Sequence, residues 1–275
     1  MPTDTVGMRR PGTAELVWQQ FRHQNRIFWR TPIAAFFTIG FPLMLIVLFT
    51  ALFGIEAAKF FTPSLAVFAA VSATYTNLAI GTALARDNGI LKRVRGTPIP
   101  PAAYLAGRVL SGIYLAFIAI VLMMGTGVLF FEIDVVPRAL PAALVTFLVG
   151  VACFAALGML VAAVSPSGDA APAITNASLL PIAFISDVFI PLEEAPQWLV
   201  TIGSFFPLKP FAVSFRDAFD PSLSGAQFHW PELASMAVWG IVAAFLAVRL
   251  FKWEPGSGSG SRGRGGGSGA GSGAD

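Results

Sequence analysis

The sequence predicts an all-α, polytopic membrane protein with six transmembrane helices and both termini on the cytoplasmic side. An N-terminal interfacial amphipathic helix precedes the first span, and an external re-entrant helical hairpin precedes the sixth. Composition is the first reason: 55% of the 275 residues are hydrophobic and 12% are charged, and mean hydropathy is +0.71. A soluble domain carries about 25% charged residues, so too little charge remains to cover a surface facing water. The second reason is that uncharged runs recur at the length, roughly 20 residues, that a helix needs to cross a ~30 Å hydrocarbon core. The third is that Lys and Arg collect in alternate loops, as membrane orientation requires.

Taken in order, residues 1–30 form a polar, basic cytoplasmic segment without the pattern of a cleavable signal peptide, so the first span serves as its own insertion signal. From Thr13 to Arg30, helical spacing places Trp18, Phe21 and Phe28 near one face, while Arg22, Arg26 and Arg30 can reach the headgroups. That describes a helix lying in the interface; the plainer alternative is a basic flank that anchors the first span. The spans occupy residues 31–254. The first is uncharged between Arg30 and Glu56, the second between Lys59 and Arg86, the third between Arg108 and Glu132, and the fourth between Arg138 and Asp169. The fifth, Ala170 to Ser186, has about 17 residues and two prolines, Pro172 and Pro181, so it fits a tilted or broken helix. The sixth runs from Leu233 to Val248. Residues 255–275 are a Gly/Ser-rich tail that cannot bury enough surface to fold, native or an added linker.

Six spans put Arg9, Arg10, Arg22, Arg26, Arg30, Arg86, Lys92, Arg93, Arg95, Arg108, Arg249, Lys252, Arg262 and Arg264 on one side, fourteen of the 18 basic residues. The opposite side holds Lys59, Arg138, Lys209 and Arg216 beside nine of the 15 acids. Basic segments resist translocation, so the termini lie inside. Between Asp187 and Glu232 the apolar stretches are too short to span, and two helices, near Gln197 to Phe205 and Leu208 to Phe219, would dip into the outer leaflet and return. An ordinary external loop would instead expose Trp198, Phe205 and Phe206 as an apolar patch.

The loop after the second span carries the most information. Arg86, Asp87, Asn88, Gly89, Ile90, Leu91, Lys92, Arg93, Val94, Arg95 and Gly96 are followed by Thr97 and Pro98. Asn88 is a candidate N-cap. Ile90, Leu91 and Val94 form an apolar edge, the bases fall elsewhere around the helix, and Gly96 with the prolines stops it. A two-turn helix is marginal by itself, so its apolar edge needs the span ends or another protein to pack against. The orientation rule alone would also place bases here.

The segment Ala85 to Pro100, followed by Tyr104-Leu-Ala-Gly-Arg108, resembles the cytoplasmic coupling segment of ABC-2 type transporter permeases. The stretch from Pro181 through Pro191, Leu192 and Trp198 to Phe206-Pro207-Leu208 resembles that family's end of the fifth span and external hairpin. The resemblance covers about residues 15 to 254 and implies a permease of the cell membrane, paired with a second permease subunit, homo- or heterodimeric, and resting on a dimer of separate ABC ATPase subunits. It further implies a coupling helix at 86–97, with Arg93 and Arg95 docking the ATPase, and an external hairpin at 187–232. The sequence has no Gly-x-x-x-x-Gly-Lys-[Ser/Thr] phosphate cradle, so ATP and Mg are expected on the partner subunit, with no cofactor held directly and no nucleic acid.

Polar residues within spans usually face other helices or a water-filled path. Thr74, Tyr75 and Asn77 in the second span, and Thr175, Asn176 and Ser178 in the fifth, are therefore candidate path-lining residues, although such residues also bridge helices. No charge falls inside a core span, which argues against a proton relay. Enzymatic chemistry is disfavoured: His23 and His229 lie on opposite sides and Cys153 has no positioned base or disulfide partner. The expected function is export of a hydrophobic or drug-like molecule; a lipid-linked glycan exporter, or a channel or scaffold subunit, is the alternative.

Overall fold

A computed structural model describes residues 12–96, 99–192 and 195–251. Lipid offers no hydrogen-bond partners, so each apolar run closes its backbone internally as helix. The helices are α1 (Thr13–Trp29), α2 (Pro32–Phe53), α3 (Ile55–Asp87), α4 (Ile90–Arg95), α5 (Pro101–Phe130), α6 (Leu140–Val164), α7 (Ala171–Phe184), α8 (Gln197–Phe205), α9 (Leu208–Asp217) and α10 (Trp230–Leu250). Prolines open α2 and α5, where the missing N–H costs nothing. A single residue, Gly54 at φ 89°, reverses the chain between α2 and α3.

By length and apolarity α2, α3, α5, α6 and α10 can each cross a membrane. Helix α3 is the axis of the bundle, since 72% of its span window is buried, against 28% for α2 and 22% for α10. Small residues allow the close approaches expected where hydrophobicity alone cannot drive helices together. A β-carbon at Gly240 of α10 would stand 3.1 Å from the Cys153 Cα of α6, and one at Gly158 of α6 would stand 2.6 Å from the Tyr75 carbonyl oxygen of α3.

The expected fifth span, Ala170 to Ser186, is helical over only part of its length. Helix α7 has 14 residues, about 21 Å at 1.5 Å per residue, too short to cross alone. The chain nevertheless runs antiparallel along α3: Gly168 abuts Leu84, Ser178 meets Tyr75, Phe189 meets Phe68, and Asp187 and Ser64 share Arg216. Non-helical turns follow Phe184 and continue the same course along α3 as far as Phe189. The other apolar candidate is the pair α8 and α9, bent by 96°. Both helices form where the sequence places them, with α9 ending at Asp217 rather than Phe219. Their elbow, Phe205 and Phe206, packs on Trp239 in the middle of α10.

The bundle has two distinct ends. At the basic end, α1 meets the start of α5, Arg86 meets the turn after α6, and Phe251 packs with Leu91 and Tyr104. At the acidic end, His229 Nε2 lies 3.3 Å from Asp217 Oδ2, and Arg138 reaches the Leu223 carbonyl oxygen at 2.7 Å.

Candidate coupling surface and cavity

The loop from Arg86 to Gly96 divides into an inward half and an outward half. Helix α3 continues to Asp87, and Gly89, at φ 68°, turns the chain into α4. Glycine takes this left-handed conformation without steric cost, so Gly89, rather than the expected Asn88, is the residue that starts α4. Asn88 is exposed and caps the end of α3.

Arg86 and Asp87 were expected on the coupling surface, and the structure turns them inward. The Arg86 guanidinium donates to the carbonyl oxygens of Ala162 at 3.0 Å and Ser165 at 2.6 Å, and the residue is 4% exposed. Those carbonyls close α6 and have no helical partner of their own, and a cation is favoured there by the helix dipole. The Arg86 Nε lies 3.4 Å from Asp87 Oδ1, while Asp87 Oδ2 accepts the Gly168 N–H. The two side chains therefore staple the end of α3 to the turn between α6 and α7.

On α4 the expected apolar edge of Ile90, Leu91 and Val94 packs only through Leu91 and Val94. Leu91 is fully buried with Ala85 and Tyr104, and Val94, Leu105 and Phe251 pack against the same cluster. Lys92 and Arg93 are exposed, as is Ile90 at 42%. Thr97, Pro98 and the Arg95 side chain lie outside the described part of the molecule.

The interfacial face of α1 splits in two. Trp18 is exposed and stacks on Phe21 at 4.9 Å, and Phe21 meets Tyr114 of α5 edge-on at 5.4 Å. Phe28 instead joins the main core at 8% exposure, and Arg22, Arg26 and Arg30 are exposed. One side of α1 packs on α5 closely enough that a β-carbon at Gly107 would stand 3.0 Å from the Val17 carbonyl oxygen. Ser111 donates to Asn25 Oδ1 at 3.2 Å.

A cavity of about 770 Å³ opens between α1, α2, α3, α5 and α7. It sorts the candidate path residues. Asn77 and Asn176 line it, whereas Thr74 and Thr175 are fully buried and bond back to the Ala70 and Ala171 carbonyls. Tyr75 and Ser178 share a 2.6 Å hydrogen bond between α3 and α7. Two features were not anticipated. Phe36–Gly40 and Ser72–Thr76 are π-helical turns, and both contribute to the cavity wall, joined by Asn77 Nδ2 donating to Thr38 Oγ1 at 3.2 Å. Such turns recur at functional sites; the only sequence signal was the polar cluster ending at Asn77. Arg108, expected at the membrane boundary, lies two turns inside α5 and also lines the cavity.

At the acidic end, Pro191 and Trp198 are exposed, while Leu192, Pro207 and Leu208 are buried and Phe206 is half-buried. Asp187, at φ 62°, accepts the Leu192 N–H at 2.8 Å and pairs with Arg216 at 2.8 Å. Arg216 also lies 3.4 Å from Ser64 Oγ and 4.5 Å from the Phe60 ring centroid. This fastening of the hairpin to α3 was not foreseen. Among the described residues, no three His, Cys, Asp or Glu side chains gather as a metal would need.

The model of the family described as ABC-2 type transporter matches residues 15–219. The chain is also 27% identical, over 262 residues, to the daunorubicin resistance ABC transporter permease protein DrrB1 of Streptomyces coeruleorubidus, covering 88% of this chain and 89% of that protein.

Proposed function

Because the chain belongs to the ABC-2 type transporter family, a family of multi-pass membrane permeases, we propose that it is the transmembrane subunit of an exporter powered by ATP hydrolysis on a separate subunit. The cargo is a hydrophobic or drug-like molecule taken from the cytoplasm or inner leaflet, a reading supported by the drug-resistance permease it resembles. The basic end faces the cytoplasm, since fourteen of 18 bases are assigned to that side. The segment from α7 to Asp187 acts as the fifth span, and the α8–α9 pair dips in from outside. Two such subunits pair around the path, and the cavity beside α7 is its mouth.

One observation carries the reading: α4 is anchored by Leu91, fully buried against this chain's own spans with Val94 packed beside it, while Lys92 and Arg93 stay exposed. A short helix seated in this way can receive a push and pass it on. Arg86 and Asp87 would relay it from α3 to α6 and α7 together, so the spans move as packed bodies. The basic face would pair with acidic groups on the ATPase. Inside-out vesicles carrying the permease and its ATPase should accumulate a lipophilic dye only when ATP is supplied. Flux that ignores ATP would overturn the proposal.

A further inference from the structure

Among the described residues, Arg108 is the only cation in the wall of the cavity and forms no ion pair. Its Nη1 donates to the Tyr104 hydroxyl at 2.8 Å, and its Nη2 rests against the bare backbone of Gly81, space that any side chain there would fill. It lies about 10 Å along α5 from the helix start, at 1.5 Å per residue. A cation in an otherwise uncharged cavity wall with no counter-ion beside it is costly, and such residues mark ligand sites by default.

The cavity is graded along its length. Arg108, Gln24 and Gly81 lie toward the basic end; Phe41, Phe68 and Leu180 form the deeper wall. Gln24, Thr76 and Asn176 also line the cavity, so polar side chains share its wall with the charge. From Gly81 to Phe68 is about 20 Å of helix, enough for a hydrocarbon chain reaching past the middle of the ~30 Å core. We infer that this cavity binds an anionic amphiphile, its phosphate or carboxylate on Arg108 and its hydrocarbon along the Phe41–Phe68 wall. A guanidinium grips such a group through two parallel hydrogen bonds, and basic pockets between membrane helices are suited to acidic headgroups. The inference rests on reading the cavity as the mouth of the transport path, and it narrows the ligand from merely lipophilic to lipophilic and negatively charged. The source is either a bilayer lipid or a single-chain cargo.

Native mass spectrometry of the purified permease, without the ATPase, tests it by competing phosphatidylglycerol, a single-chain alkyl phosphate, phosphatidylcholine and inorganic phosphate. The wild type should retain one anionic amphiphile at least about ten-fold over phosphatidylcholine. Arg108→Lys should keep that preference, Arg108→Gln should lose it, and Asn176→Trp should lower occupancy by filling the cavity. Preference for phosphatidylglycerol identifies a lipid, and preference for the alkyl phosphate identifies a cargo; either supports the site. Equal retention of phosphatidylcholine, equal binding of inorganic phosphate, or a preference unchanged in Arg108→Gln overturns it. Because no ATPase is present, the result is independent of whether α4 docks one.

Discussion

An arginine fastens neighbouring elements at each end of the molecule, Arg86 at the basic end and Arg216 at the acidic end, and the two are held by different chemistry. Arg86 at the basic end grips two backbone carbonyls of α6, with Asp87 only loosely beside it. Arg216 at the acidic end is held by a side chain, the Asp187 carboxylate, and by the Phe60 ring. A joint made to carbonyls exists whatever residues supply them, and it locks helix ends rigidly together. A joint made between two side chains depends on both. The basic end is thus joined through backbone groups, as the proposed transmission of movement would need, whereas the acidic end is joined through a pair of side chains.

Substitution can separate the two. Arg86→Met should cost most, about 3 kcal/mol, because two buried carbonyls lose a charged donor; thermal unfolding in detergent measures it, and a loss below about 1 kcal/mol would mean the staple is ornamental. Leu91→Ala should cost about 2 kcal/mol and act locally: hydrogen exchange should quicken over residues 90–95 while α6 and α10 keep their protection. At the acidic end, Asp187→Asn and Arg216→Met should each cost about 1–2 kcal/mol and should not add, with the double mutant showing a coupling of about 1 kcal/mol. Full additivity would mean that the hairpin is held by packing alone.

The smallest effect concerns the outer surface of the same end. The Ser222 hydroxyl and N–H donate to Asp220 Oδ1 at 2.6 and 2.9 Å and hold its carboxyl below the usual range. A lowered folded value means this contribution is present above the ordinary carboxylate range and fades as pH falls through the lowered one. Ser222→Ala should move the Asp220 titration upward, as followed by carbon NMR, without disturbing the Arg216 pair.

Much of this was legible in the residues. Uncharged length located five spans, and apolar stretches too short to span located α8 and α9 within two residues, because length and hydrophobicity are local properties of the chain. The apolar edge through Leu91 was readable for the same reason. Arg86 was misplaced because its partners are carbonyls, which every residue has and no pattern marks. The π-turns at Phe36 and Ser72 depend on how α2 and α3 meet around the cavity, and 3.6-residue periodicity does not encode that. Arg108 was read only as the charge that bounds the third span, and its place in a cavity wall appears only once α5 is packed against α1 and α3. Asn77 and Asn176 were separable from Thr74 and Thr175 only once the cavity had a wall.

Association with the ATPase decides whether the basic end is a docking surface. Lys92→Glu with Arg93→Glu reverses the exposed face of α4 and leaves Leu91 and Arg86 untouched. Co-purification of the tagged ATP-hydrolysing subunit with this double variant should fall to background while the thermal unfolding of the permease is unchanged. Undiminished co-purification would contradict the assignment of α4 as the coupling helix.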